Sequence, residues 1–514
     1  MIPFPAMTDR PSPLPAARTR PLLLLAALGV LAAGCAVGPD YKRPVLVVPG
    51  TFKEDPGWKT AAPDDGAKRG PWWEVFKDPV LSDLEHQLDT TNLSIVQAVD
   101  AYEEARQTVR SDRTGYLPTI SVTGSAERTR TPSYEGVAQG ITSTTGSTGA
   151  GSGTTTTTTA ASSSHGLTSN LFTAELGASW TPDLWGKLRR TVEADVATAQ
   201  ATAADLALAR LSMESTLAQD YIGLRTTDDK LRLLEDAVKA YERTLRITRN
   251  KYAVGVAARS DIITAQAELD ATRAQLVATE VTRAQYEHAI AVLVSKAPAE
   301  FSITRTPTIG ITLPDIPPQL ASTLLERRPD IAAAERQAAE ANAKIGVQTA
   351  AYFPDLSLTG AGGFEGPTLD KLISAPYKFW TIGANATDAL LDWGQRHDLV
   401  LSAKAGFDAA AANYKLTVLT AFQQVEDNLA GLRILKEEAS IQNAAVSEAA
   451  QASQIALNEY NAGTVDFTTV VTAQVTELTN RETALGIVQS QLTDAVLLIQ
   501  ALGGGWTTAD LPKP

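Results

Sequence analysis

Few residues in this chain are placed to do chemistry, and the clearest is a lone thiol. Cys35 is the single cysteine in 514 residues and follows Leu31-Ala32-Ala33-Gly34. Arg10, Arg18 and Arg20 precede an apolar run from Leu22 to Ala33, about 12 residues, too short to span a bilayer and suited to a secretory leader. Small residues before a lone Cys fit a bacterial lipobox, in which the sulfur takes a diacylglyceryl group and the new terminal amine is acylated. Ala32 stands where Leu is commonest in such boxes, so a plain signal peptide ahead of an incidental Cys is the alternative. The absence of an Asp after the Cys, where Ala36 stands, would by resemblance to known lipoproteins permit sorting to the outer membrane, and translation can start at Met1 or Met7.

The remaining reactive side chains point away from catalysis. His86, His165, His288 and His397 stand far apart with no carboxylate or thiol at ligand spacing, and no phosphate loop or nucleophile elbow is present. Glu103-Glu104, Asp228-Asp229 and Glu437-Glu438 read as water-facing helix charges. No enzyme, cofactor or metal site is expected. With 45 basic against 58 acidic residues and no basic cluster, nucleic acid is excluded as a partner.

The elements that must carry these residues come in two copies. Glu104 to Gly124 lines up with Glu340 to Gly360, placing Tyr116 over Tyr352 and Pro118 over Pro354, an offset of 236. Trp185-Gly186 then matches Trp393-Gly394, Gly223-Leu224-Arg225 matches Gly431-Leu432-Arg433, and Tyr252 and Gly255 match Tyr460 and Gly463, an offset of 208. The first copy therefore holds 28 extra residues, located in a Thr/Ser/Gly tract from about Thr129 to Asn170. An internal tandem duplication of this length implies pseudo-twofold architecture.

Residues 1–34 read as the leader with its lipobox, 35–77 as a Pro-rich lipidated tether, 78–297 as the first repeat, 298–326 as a linker with a short helix, 327–506 as the second repeat and 507–514 as a tail. A helical pattern from Asp78 to Thr114 stops before Pro118, and the same stop recurs before Pro354. Beyond each stop the period changes to two, predicting strands at about 116–128, 170–181, 353–364 and 379–391. Alternating strands of about 10 residues ending in Trp suit a membrane barrel wall; a soluble hairpin half-buried on a core is the alternative. Long helices are predicted over about 186–252 and 393–461, roughly 100 Å each at 1.5 Å per residue, with return helices from Ser260 and Phe467. Leu231, Leu234, Val238, Tyr241, Leu245, Thr248 and Tyr252 form a heptad seam. Four strands cannot close a barrel, so membrane strands would require oligomerisation.

Cys35 to Pro44, Trp72-Trp73, Arg327-Arg-Pro-Asp-Ile331, Ala350-Ala-Tyr-Phe-Pro354 and Ala501-Leu-Gly-Gly-Gly-Trp506 together resemble the TolC-like outer-membrane factor family, in particular its OprM/NodT-type lipoproteins of resistance-nodulation-division efflux systems. The resemblance covers essentially the whole chain. It implies a mainly α fold with a transmembrane β-barrel portion: a homotrimer whose α-helical tunnel is continuous with a shared outer-membrane barrel of four strands per chain. It further implies a passive exit duct for drugs or other small molecules, partnered by a periplasmic adaptor, an inner-membrane pump and outer-membrane lipid, with S-diacylglycerol and N-acyl groups on Cys35. A duct for protein secretion, or a periplasmic coiled-coil adaptor or scaffold, are the competing functions. By the same resemblance, the Tyr-x-x-Gly turns meet the adaptor, which singles out Tyr252, Gly255, Tyr460 and Gly463, and early acids of the next helix form the periplasmic gate. Asp261 and Asp466 keep that acid, whereas Thr469 and Thr472 stand at gate positions where an acid is often found, which implies a less cation-selective constriction.

Overall fold

A computed structural model describes residues 36–46, 52–54, 71–131, 167–306, 311–314, 327–506 and 511. Cys35, the expected leader and most of the Thr/Ser/Gly insert lie outside the described residues. The chain forms two compact units, one of Met1–Tyr41, Thr108–Asp195 and Glu340–Phe407, the other of Lys42–Gln107, Val196–Ala339 and Asp408–Pro514.

The first unit holds one antiparallel sheet of β1 (Thr119–Thr131), β2 (Leu167–Trp180), β3 (Asp355–Gly366) and β4 (Lys378–Thr387) in chain order. Because β2 pairs with β3, with Trp180 opposite Leu358, the hairpins of the two repeats fuse into one sheet. The register runs Val122–Leu176–Gly362–Trp380 and Ile120–Ala178–Gly360–Ile382 across all four strands, so one face is apolar. That face is exposed: Val122 is 83% accessible, Trp380 72% and Ile382 83%. A hairpin half-buried on a core would hide these side chains, so that alternative fails. The other face carries Thr119, Ser179, Thr359, Ser121 and Thr381.

β1 starts at Thr119 rather than near 116, because Tyr116 and Leu117 close the preceding helix through amide bonds to Arg113 and Thr114 carbonyls. β4 ends at Thr387 rather than 391: Arg396 gathers the next residues, donating to Asp388 at 2.8 Å, to Asp392 at 2.6 Å and to the Ala389 carbonyl. Trp185 stacks on Phe353 at 4.8 Å and donates to the Pro354 carbonyl at 2.8 Å, an aromatic belt at one end of the sheet. Residues 37–40 are bolted alongside, since buried Arg190 donates to the Val37 and Gly38 carbonyls and to Asp40.

The helices are α1 (Pro79–Thr91), α2 (Leu93–Thr114), α3 (Lys187–Ala253), α4 (Arg259–Leu293), α5 (Pro329–Ala350), α6 (Gln395–Ala462) and α7 (Phe467–Ala501). α3 and α6 run for 67 and 68 residues without a break. The single helix expected from Asp78 to Thr114 is two. Asn92 takes an extended backbone and its side chain accepts from the Ser94 and Ile95 amides while donating to the Leu293 carbonyl at 2.7 Å. Leu88, Asn92 and Ile95 keep the helical spacing through this break, which hides it from a periodicity argument.

In the second unit, Leu217, Tyr221 and Leu224 of α3 pack with Trp72, Phe76, Leu81 and Leu88 and with Leu492 and Val496 of α7. Each such apolar side chain contributes about 1.5–3 kcal/mol on burial. Asp228 and Asp229 correct the reading of that pair as water-facing. Asp228 accepts from Arg225 at 3.2 Å and Arg283 at 2.7 Å, Asp229 pairs with Arg232 at 3.2 Å, and both acids are buried. Arg225 and Arg283 also donate to the Thr304 and Ile303 carbonyls, fastening the start of the linker to α3 and α4. A pair of adjacent acids has the same sequence signature whether its cations lie in water or on a neighbouring helix.

A methyl group on Gly363 would sit 2.1 Å from the Ala174 carbonyl oxygen across the β2–β3 pair, whereas one on Gly362 would meet its nearest atom, the Phe379 oxygen, at 3.7 Å. Gly363→Ala is expected to destabilise the sheet by about 1–3 kcal/mol or more and Gly362→Ala to be near neutral, measured by thermal unfolding of the purified protein in detergent.

Candidate functional site

Each repeat ends its long helix in the same turn, and both turns lie in the second unit. Gly255 has φ +78° and Gly463 φ +83°. The Gly255 amide donates to the Tyr252 carbonyl and the Val256 amide to the Lys251 carbonyl, both at 2.9 Å. Gly463 and Thr464 repeat this toward Tyr460 and Glu459 at 3.1 and 3.0 Å. This is a Schellman closure, whose left-handed residue favours glycine. A Cβ at either glycine would meet nothing within 4 Å, so the requirement for glycine is conformational and not one of space.

The two tyrosines that precede these glycines separate in the fold. Tyr252 is 46% exposed, beside exposed Val254 and Val256, whereas Tyr460 is 6% exposed. Tyr460 packs edge-on to Phe467 at 5.2 Å, within a cluster that joins Tyr241 and Leu245 of α3 to Ala456 of α6 and Val470 of α7. Burial raises the pKa of its hydroxyl. Lys251, which the sequence reading passed over, reaches from the first repeat to the second: its Nζ lies 4.0 Å from the centroid of the Tyr460 ring and donates to the Tyr460 carbonyl. A signal was available, since Lys251 aligns with Glu459 at the repeat offset.

Asp261 and Asp466 occupy different positions in their first turns. Asp261 is the third residue of α4, and its carboxylate accepts from the Ala258 amide at 3.3 Å and from the Ser260 hydroxyl at 3.3 Å. Asp466 is the residue before α7 and is exposed, with no side-chain cap bond. At the repeat offset Ala258 aligns with Asp466 and Asp261 with Thr469, so each repeat keeps one acid where the helix dipole favours it. Thr469 and Thr472 are exposed and, with Thr468, Ala473 and Thr476 of α7 and Ala449 and Ala452 of α6, line an open groove of about 460 Å3.

The two threonines are part of a longer row. Thr469, Thr472, Thr476, Thr479 and Thr483 are all exposed on α7 at spacings alternating between three and four, a single face of the helix. The hydroxyls of Thr472, Thr476, Thr479 and Thr483 each donate to the carbonyl four residues back, at 2.8–2.9 Å. Outward the row presents methyl groups and oxygen lone pairs, without charge. Among the described residues α7 is the one helix long and apolar enough to cross a membrane, but its Val470, Leu478, Ile487 and Leu492 are buried in packing.

The outer membrane efflux protein family is matched over residues 84–295 and 320–504, both repeats. The chain belongs to that family. Among similar proteins, the probable efflux pump outer membrane protein TtgC of Pseudomonas putida is 28% identical, covering 95% of this chain and 96% of its own. Nodulation protein T of Rhizobium leguminosarum bv. trifolii is 26% identical over 91% of this chain and 92% of its own. The solved structure of the outer-membrane channel OprN superposes with a TM-score of 0.81 at 25% identity, over 92% of this chain and all of that one. Members of the family are outer-membrane efflux ducts rather than enzymes, and this chain is an outer-membrane efflux channel with four strands in a mainly helical fold.

The turn geometry sets an expectation for Gly463. Gly463→Val is expected to cost about 1–2 kcal/mol from backbone conformation alone, and Gly463→Asn, which tolerates the left-handed region, clearly less. Hydrogen exchange of the 460–467 amides checks this; equal loss of protection in both variants would mean that space, not φ, sets the residue.

Proposed function

We propose that three copies of this chain assemble into a closed twelve-stranded barrel, three times the four strands of one sheet, continuous with a periplasmic helical tunnel. The observation that carries the proposal is the exposed apolar face of the sheet, together with the outer edges of β1 and β4, which pair with no strand among the described residues. Unpaired strand edges in hydrocarbon cost several kcal/mol per backbone group, so a second and a third chain must supply partners. Closure by three chains follows from the resemblance to outer-membrane factors. A periplasmic scaffold has no use for an apolar sheet face turned outward.

In this assembly the duct is passive and takes drugs or other small molecules from an inner-membrane pump through a periplasmic adaptor. Cys35 carries the lipid anchor, which adds membrane affinity beside the barrel. The exposed turn residues Tyr252, Val254, Gly255 and Val256, with Gly463, form the surface that meets the adaptor, while Tyr460 braces that surface from inside. Asp466 and the threonine row line the aqueous path at its periplasmic constriction. Asp261 serves chiefly as a helix cap, because its carboxylate is already engaged. A constriction ringed by hydroxyls stabilises a permeating cation less than one ringed by carboxylates, so charge selection there is weak.

Thr472→Asp is expected to raise cation selectivity, read as a shift in reversal potential under a salt gradient across a planar bilayer; an unchanged potential would remove Thr472 from the pore lining. Ser147→Cys, in the insert, is expected to react with a bulky membrane-impermeant maleimide on intact cells. Labelling only after lysis would leave the insert in the periplasm and overturn the barrel reading.

A further inference from the structure

Glu85 is the least expected side chain in the second unit. It has no exposed surface, and among the described residues neither carboxyl oxygen has a hydrogen-bond partner. α1 aligns it with the buried side chains Leu81, Leu84 and Leu88, and Asp89 stands one turn further along. Across from them Glu214 of α3, also buried, accepts from the Trp72 indole N–H at 2.7 Å and meets Asp89 as a facing carboxyl group. Two carboxyl groups in contact can bond only if one carries a proton.

The surroundings supply little to stabilise negative charge. Arg210 of α3 is half exposed and its Nε lies 3.7 Å from Asp89 Oδ1, beyond hydrogen-bond reach. His86 packs edge-on to Trp73 at 5.8 Å, Glu74 on the turn is exposed, and Lys296 is occupied by Gln87 at 2.6 Å. The Trp73 indole N–H is buried and unpartnered as well. An ionised carboxylate without donors in such a place costs several kcal/mol, so the group holds its proton instead.

We propose that Glu85 and Glu214 form a proton-held latch, which seats the Trp72–Phe76 turn and α1 on α3 while loaded and releases them as it ionises. Burial first, then the charges of Glu214 and Asp89, push the Glu85 carboxyl up to about 10. Burial first, and also Asp89, push Glu214 up to about 7 against the pull of Trp72 and Arg210. The docked segment therefore binds protons that the released segment gives up. Docking is strongest below the ordinary glutamate value of 4.5 and weakens as pH rises, for Glu214 up to about 7 and for Glu85 onward to about 10. Across each window the released fraction grows about tenfold per pH unit for each proton lost.

Hydrogen exchange on the purified full chain in detergent, corrected for intrinsic rates, at pH 6.5, 7.5 and 8.5 tests this. The opening equilibrium of the α1 amides is expected to rise about tenfold per unit or more, while amides of α4 around Leu269 keep theirs. Glu85→Gln, which retains shape but cannot ionise, is expected to flatten the profile above pH 7.5, and Glu85→Gln with Glu214→Gln to flatten it throughout. An unchanged slope in Glu85→Gln overturns the latch. Should the variants fail to fold, the wild-type profile decides alone, since α1 protection that does not fall with pH relative to α4 also overturns it.

Discussion

The rest of this architecture depends on the need of every backbone N–H and C=O to have a partner where water is absent. A hairpin alone pairs one side of each strand. Here the two hairpins, one from each repeat, meet through β2 and β3, and continuous rows such as Val122–Leu176–Gly362–Trp380 turn Ile120, Val122, Leu176, Leu358, Trp380 and Ile382 to one face. A slip of one residue in the β2–β3 pairing would turn Leu358 and Gly360 to the polar side, so the outward apolar face fixes the register. Gly363, with the Ala174 carbonyl where its Cβ would be, marks how closely the two repeats approach.

Duplication supplies two copies of the same turn, and divergence has given them different work. The closure around Gly255 and Gly463 is the same hydrogen-bond pattern with the same left-handed glycine. Around it the first copy exposes its tyrosine and sends Lys251 outward from its own hairpin, and the second buries its tyrosine and receives that lysine. The acid of the first turn has moved from the third helical residue in one copy to the residue before the helix in the other. Both places are favoured by the helix dipole, which constrains the first turn and leaves the choice of residue open.

Charge inside the second unit is handled in two ways. Asp228 is buried between Arg225 and Arg283, and other guanidinium protons go to linker carbonyls, the Tyr221 hydroxyl and the Glu287 carboxylate, so the network is almost fully satisfied. Removing one partner of such a group typically costs about 3–5 kcal/mol because the other is stranded. Glu85 has no such partners and resolves the same desolvation penalty by holding a proton. One arrangement pairs its charge and the other makes docking depend on pH, within a single helical core.

The sequence by itself determined the duplication, the sites of the four strands, the two uninterrupted helices and the glycine turns, because each rests on local rules: period, proline stops and left-handed backbone. The leader and lipid anchor expected at Cys35 fall outside the described residues. The tertiary structure alone decided which apolar strand face is exposed, that Asn92 splits a helix, that Tyr460 is buried while Tyr252 is not, and that Asp228 is paired. It also brought Glu85 to Glu214, which are 129 positions apart in the chain. Each of these depends on what a neighbouring element places opposite a side chain, and neither periodicity nor spacing along one segment carries that information.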